Sequence, residues 1–231
     1  MRQEEARKAE EARKKADIER QRQEKLREEE RLRAEIERKQ REVKKAEAQK
    51  QLEEQRRKVQ QVSQKVLQSA AQLYEKGRKY FDARNYDEAF KCFREAAEVG
   101  HASAQEWVGI MYGNGYGVKR DDAEAKNWYR KAFETYRKAA ELGDSEAQYQ
   151  LGMQYRCGSA VAHNLSETVK WWRKAAELGH AEAAFQLGML YESSVGATHD
   201  YKEAMKWYRK ATELGHFWAK INAEALKKKG Y

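Results

Sequence analysis

Residues 145–216 constrain this chain more than any other stretch, because they contain one 36-residue pattern twice. SEAQYQLGMQYRCGSAVAHNLSETVKWWRKAAELGH is followed directly by AEAAFQLGMLYESSVGATHDYKEAMKWYRKATELGH. Leu151-Gly152-Met153 returns as Leu187-Gly188-Met189, Tyr155 as Tyr191, Trp171 as Trp207, and Gly179-His180 as Gly215-His216. Self-similarity at a period of roughly 20–50 residues marks stacked supersecondary units. One such unit cannot bury its apolar face alone, so the fold has to be built by adding copies side by side.

Two further copies precede this pair. Residues 70–101 form a short version, in which Gly77 and Tyr80 take the slots of Gly152 and Tyr155, and residues 102–144 form a second. Residues 217–231 begin another first helix and end in Lys227-Lys228-Lys229, as expected of a capping helix with a polar outer face. Asn85, Asp121, Asn164 and Asp200 are each followed three residues later by Glu, a capping-box signal that starts a second helix in every copy. Gly100, Gly143, Gly179 and Gly215 each end that helix as a C′ residue. The small residues Gly115, Gly117, Gly158, Ala160 and Gly196 fit a tight connector between the two helices; no Gly-Lys-Ser/Thr follows, so they read as turns rather than a phosphate loop. Proline is absent, which removes the strongest helix breaker. The expected fold class is all-α: helix pairs stacked in a solenoid over residues 66–231.

Residues 1–65 differ. Up to about Lys58 they use almost only Glu, Gln, Lys, Arg and Ala, all good helix formers. Glu recurs four residues before Lys or Arg, as in Glu29–Arg33, Glu35–Lys39, Glu37–Arg41 and Glu54–Lys58, and each pair supports an isolated helix by about 0.2–0.5 kcal/mol. Leu32, Ile36 and Val43 fit a coiled-coil seam, but Lys39, Lys50, Glu53 and Arg57 interrupt it. A single charged helix, a weak coiled coil and a largely disordered segment all remain open, and a homo-oligomer through this segment is one consequence of the second. From Val59 an apolar stripe through Val62, Val66, Ala70 and Leu73 predicts continuation into the first repeat without a break.

The pattern A-x-A-x-x-x-L-G-x-x-Y, a Gly-rich loop, then D-x-x-x-A-x-x-W-Y-x-K-A-A-x-x-G-H resembles the Sel1-like repeat, a relative of the tetratricopeptide repeat. The resemblance covers residues 70–216 and departs from the pattern at Asn164 and Thr168, where Asp and Ala are usual. It implies a right-handed α-solenoid whose members act as adaptors and scaffolds for proteins, with no catalytic residue and no cofactor. By the same resemblance the first helices line a concave face. Its variable inner positions are Tyr74, Arg78, Glu106, Ile110, Tyr149, Met153, Arg156, Phe185, Met189 and Glu192. Met153 and Met189 beside Tyr149 and Phe185 would make an adaptable apolar strip for a peptide, unless the two rings are ordinary inter-helix packing.

The second copy carries seven extra residues, which read as a duplication of WYRKAFE (128–134) in TYRKAAE (135–141). Seven residues are close to two turns and rotate the face by only about 20°. The second helix of this copy should therefore be about 10 Å longer with its stripe in register. It is expected to project and to display some of Trp128, Tyr129, Phe133 and Tyr136, either packed on the N-terminal helix or as a partner-binding ridge.

Other chemistries find little support. His101, His180 and His216 share one repeat position with Asp144, which marks them as caps of the next helix rather than catalytic or metal-binding groups. Cys92 and Cys157 occupy unrelated positions and suggest neither a disulfide nor a metal site. The net charge of +9 divides into +6 for residues 1–70 and +3 for the rest, interspersed rather than patched. That disfavours nucleic acid, leaving weak binding of nucleic acid or an anionic surface through the basic N-terminal helix as an alternative. With no apolar run near 18 residues and no signal-like start, a cytoplasmic chain without a membrane segment is expected. The leading expectation is a non-enzymatic scaffold or adaptor for a protein or peptide partner; a structural spacer or oligomeriser is the alternative.

Overall fold

The computed structural model describes residues 2–193 and 199–230, with side chains from residue 13 onward. Among the described residues there are nine helices and no strand. They are α1 (Arg2–Asp82), α2 (Tyr86–Glu98), α3 (Ala102–Asn114), α4 (Asp122–Glu141), α5 (Ser145–Cys157), α6 (Leu165–Glu177), α7 (Ala181–Glu192), α8 (Tyr201–Glu213) and α9 (Phe217–Lys228). The chain divides into two units, residues 1–63 and 64–231.

The first unit is helical throughout its described length and its described residues are all exposed. Glu35–Lys39 (2.7 Å), Glu37–Arg41 (3.5 Å) and Glu54–Lys58 (2.8 Å) form the i,i+4 pairs that the sequence spacing predicts. Such exposed pairs support the helix locally and add little beyond that.

In the second unit each helix from α2 onward packs on its neighbours in sequence, which is the contact pattern of a solenoid. Within each repeat, a glycine of the first helix receives an aromatic ring of the second. Gly77 meets Phe93, Gly109 meets Tyr129, Gly152 meets Trp172 and Gly188 meets Tyr208. The rings enter where a Cβ would stand, so the two backbones approach closely. Around them lie Ala89, Ala96, Leu151, Ala176, Leu187 and Ala211, all fully buried. Large rings set against alanines fill the inter-helix space without strain.

The turn signals hold. Gly100, Gly143, Gly179 and Gly215 all sit at φ 87–93°, the left-handed conformation that a C′ position requires. Asp121, Asn164 and Asp200 cap their helices through Oδ1, accepting from Glu124 N (3.0 Å), Glu167 N (3.1 Å) and Glu203 N (3.0 Å). Asn85 does not cap: it lies at φ −84°, ψ 74°, directly after the left-handed Arg84, and its side chain makes no cap bond. The reciprocal arm of the capping box is not formed. Instead the backbone N–H groups of Asn85, Asp121, Asn164 and Asp200 all donate to the carbonyl of the repeat's tyrosine, Tyr80, Tyr112, Tyr155 or Tyr191. The connector residue Gly196 lies outside the described residues.

The seven-residue insertion lengthens α4 to 20 residues against 13 for α6 and α8. It does not display an aromatic ridge. Trp128, Phe133 and Tyr136 are 8%, 7% and 5% exposed, and Tyr129 is half-buried under Gly109. The reason is the register that two added turns preserve: the apolar face of the extension still points inward, where α3 and α5 cover it. Phe133 packs edge-on against Tyr155 of α5 at 5.4 Å, and the Tyr136 hydroxyl lies 3.0 Å from Ser103 Oγ of α3.

Candidate partner-binding surface

The ten inner positions all fall on the first helices of the repeats, and the structure sorts them into two groups. Tyr149 and Met153 on α5 and Phe185 and Met189 on α7 are half-buried and pack on one apolar cluster shared by repeats 3 and 4. Arg156 joins them: it donates to Gln186 Oε1 at 3.0 Å and stands 5.4 Å over the Trp172 ring. Arg156 and Met189 also line a common cleft of about 360 Å³ with Leu165, Gln186 and Leu190. In repeat 1 the exposed Arg78 lies over Trp107 at 5.4 Å and donates to the Tyr74 hydroxyl at 3.4 Å.

The remaining positions face other duties. Glu106 accepts from Gln154 Nε2 at 2.8 Å, with the Tyr136 hydroxyl at 3.4 Å, and burial pushes its carboxyl pKa up. Glu192 accepts from the Tyr208 hydroxyl at 2.6 Å and is thereby turned toward α8. Ile110 is half-buried, and its carbonyl accepts from Asn114.

The three histidines are caps, as their shared position predicts. Nδ1 of His101, His180 and His216 accepts from Ala104 N, Ala183 N and Ala219 N at 3.1–3.2 Å. Asp144 does the same for Ala147 N at 2.8 Å. An accepting Nδ1 leaves the proton on Nε2. In His180 that nitrogen lies 2.9 Å from Glu146 Oε2, and in His216 2.9 Å from Glu182 Oε2. The His180 bond holds the Glu146 pKa below the usual carboxylate range.

Each ring also stacks on the inner aromatic of its own repeat: His101 on Tyr74 (4.7 Å), His180 on Tyr149 (4.7 Å) and His216 on Phe185 (4.1 Å). Burial there pushes the Tyr149 hydroxyl up to about 12. Repeat 2 replaces both members at once, with Glu106 in the aromatic slot and Asp144 in the histidine slot. Glu146 and Glu182, the partners of these histidines, escaped the sequence reading. Their signal was present as a Glu 34 residues before His in both copies. A second omission is Trp107, which gathers Phe81 at 4.7 Å and Phe93 at 5.3 Å into an aromatic cluster between repeats 1 and 2.

Among the described residues no group of His, Cys, Asp and Glu has the arrangement of a metal site, and no helix is long and apolar enough to cross a membrane. Cys92 is buried, and burial pushes its thiol pKa up; Cys157 is exposed.

Comparison with known proteins follows the repeats. The Sel1 repeat family model matches residues 67–101, 102–134, 136–144, 145–180 and 181–216, and it breaks at residue 135, inside the extension of α4. The chain is similar to a Sel1 repeat protein from Oxalobacter formigenes, with 34% identity over 68% of this chain and 62% of that one and a TM-score of 0.46. It is also similar to the protective antigen c5321 of uropathogenic Escherichia coli, described as displaying an SLR fold, with 27% identity over 70% of this chain and 42% of that one and a TM-score of 0.40. It thus spans about 62% and 42% of these two relatives. The search of curated proteins gave no match. Since the repeat matches cover well over half of the sequence, the chain belongs to the Sel1 repeat family.

Proposed function

We propose that this chain is a non-enzymatic interaction scaffold that takes an extended or helical peptide along the first helices of repeats 3 and 4. Sel1 repeat proteins are in general protein-interaction scaffolds. One observation carries the reading for this chain: half-exposed apolar pairs, Tyr149/Met153 and Phe185/Met189, recur 36 residues apart on a single cluster, with the Arg156 guanidinium beside them. Methionine side chains are unbranched and polarisable, so they remodel around varied apolar partners. An apolar core and a charged edge are what a peptide groove of this kind needs. The test is capture by the full chain and by the Met153→Asp/Met189→Asp variant. A bound protein lost from the variant supports the strip; equal recovery by both removes it.

A second reading rests on the first unit, where Leu32, Ile36 and Val43 stand exposed on one face at spacings of four and seven. A helix of this kind serves as an oligomeriser if a second copy covers that seam. Light scattering of the full chain against Ile36→Lys/Val43→Lys decides it, since an oligomer that persists in the variant does not use this seam.

A further inference from the structure

The junction of repeats 3 and 4 holds a second cleft, of about 620 Å³, between α6, the end of α7 and α8. The equivalent place 36 residues earlier is built from different side chains. At the earlier junction Phe133 of α4 fills the space and packs on Tyr155. At the later one the same slot holds Val169, and Tyr191, the counterpart of Tyr155, lines the cleft. Arg137 at the earlier junction is tied to Glu134 at 2.7 Å. Its counterpart Arg173 has Lys170 three residues before it and instead donates to the Tyr191 hydroxyl at 3.2 Å.

The floor differs too. Trp171 donates its indole N–H to Glu167 at 3.0 Å. Trp207, only 4% exposed, lines the open cleft and its Nε1 has no acceptor. A buried donor left unpaired is unfavourable, so such a group signals a missing partner. The acids nearby are partly committed: Asp200 caps α8 and Glu203 holds Lys206 at 3.2 Å. That leaves Glu177 against Arg173 and Lys210, neither of which is in an ion pair among the described residues.

We propose that this cleft binds an acidic peptide segment of a partner, with a Glu or Asp carboxylate held between Arg173 and Lys210 at the edge of the Trp207 indole. A guanidinium already oriented by Tyr191 is suited to a carboxylate fork, and an oxygen brought down to the floor supplies the acceptor that Trp207 lacks. The cleft is separate from the Met153/Met189 strip and does not depend on it.

The test is a two-dimensional ¹H–¹⁵N spectrum of the labelled full chain, with the Trp207 indole signal assigned by Trp207→Phe. The probes are a blocked tetraglutamate peptide and, separately, inorganic phosphate. The peptide is expected to shift the Trp207 signal saturably and leave Trp171 unmoved. Val169→Phe, which restores the filling seen at Phe133, abolishes the response. Arg173→Gln, an exposed replacement that keeps the fold, weakens binding by about tenfold or more. The Met153→Asp/Met189→Asp variant binds the tetraglutamate as the parent does, so failure of one site is distinguishable from failure of the other. A Trp207 signal indifferent to the peptide overturns the proposal. So does a shift with phosphate alone, or a peptide response unchanged in Arg173→Gln.

Discussion

The indole of Trp172 occupies the space in which a side chain on residue 152 would stand: a Cβ built on Gly152 would lie 2.6 Å from Trp172 Nε1. The indole nitrogen donates to Tyr149 O at 3.1 Å, which anchors the ring against the α5 backbone. This contact, repeated as Gly188 with Tyr208, sets how closely the two helices of a repeat approach.

Gly152→Ala therefore opposes two effects. Alanine favours a helix by about 0.8–1.0 kcal/mol over glycine. Against that, an added methyl in a packed interface costs about 1–3 kcal/mol, and here the obstacle is a large buried ring rather than a flexible chain end. Net destabilisation is expected in urea melts. Gly113→Ala is the control, because its nearest neighbour is Ala125 Cβ at 3.7 Å and only the helix gain remains. Equal effects of the two changes would mean that Trp172 does not set the spacing.

A second prediction concerns pH. His101 caps α3 through Nδ1 and stacks on Tyr74, and burial lowers its pKa. The unfolded chain takes up this proton near pH ~6.5, the folded chain only at lower pH. Between those values the unfolded state binds more protons, so the contribution to stability rises with pH. It is complete above about pH 6.5 and is lost as pH falls through the folded value. Glu75 is the nearby carboxylate and acts weakly in the opposite direction. His101→Asn keeps a good cap and removes the titration, so its stability should change less than the parent's between about pH 5 and 7. Identical slopes would place the titration elsewhere.

How far the sequence reached depends on repetition. Helix limits, C′ glycines and the histidine caps were legible because each signal recurs at one position in several copies. Asn85 shows the limit of that logic, since its repeat position predicts a cap that the short turn after Phe81 does not allow. Partners distant in sequence were harder to see. Glu146 and His180 stand at opposite ends of repeat 3 and meet only when its two helices fold back on each other, and residue types do not report that geometry. The α4 extension was legible in length and register, but whether α3 and α5 reach far enough to cover it depends on how the repeats stack.

That coverage makes a third prediction. Phe133 sits with Leu151, Trp171 and Tyr155, and truncation leaves a cavity there. Phe133→Ala is expected to cost about 3–5 kcal/mol of stability. A surface ridge residue would cost within about 0.5 kcal/mol, so a urea melt separates the two descriptions without knowledge of any partner.

The last prediction follows from Glu106, which replaces an aromatic in the inner row. Its carboxyl accepts from Gln154, itself 2% exposed and with its own Oε1 unpartnered, and no ion pair to Glu106 is present among the described residues. Burial raises its pKa, so the folded state takes up a proton at higher pH than the unfolded chain, whose carboxyl titrates near ~4.3. Between the two values the folded state binds more protons. This group's contribution is therefore complete below the unfolded value and is lost as pH rises through the folded one. Glu106→Gln keeps a group that can pair with Tyr136 and Gln154 and removes the charge. The variant should gain on the parent as pH rises from about 4 to 7 and be at least as stable at neutral pH. Urea melts across that range test it. A variant that falls behind the parent as pH rises would show that the carboxylate is stabilised by its surroundings, and that repeat 2 pays no penalty for setting a charge in the aromatic row.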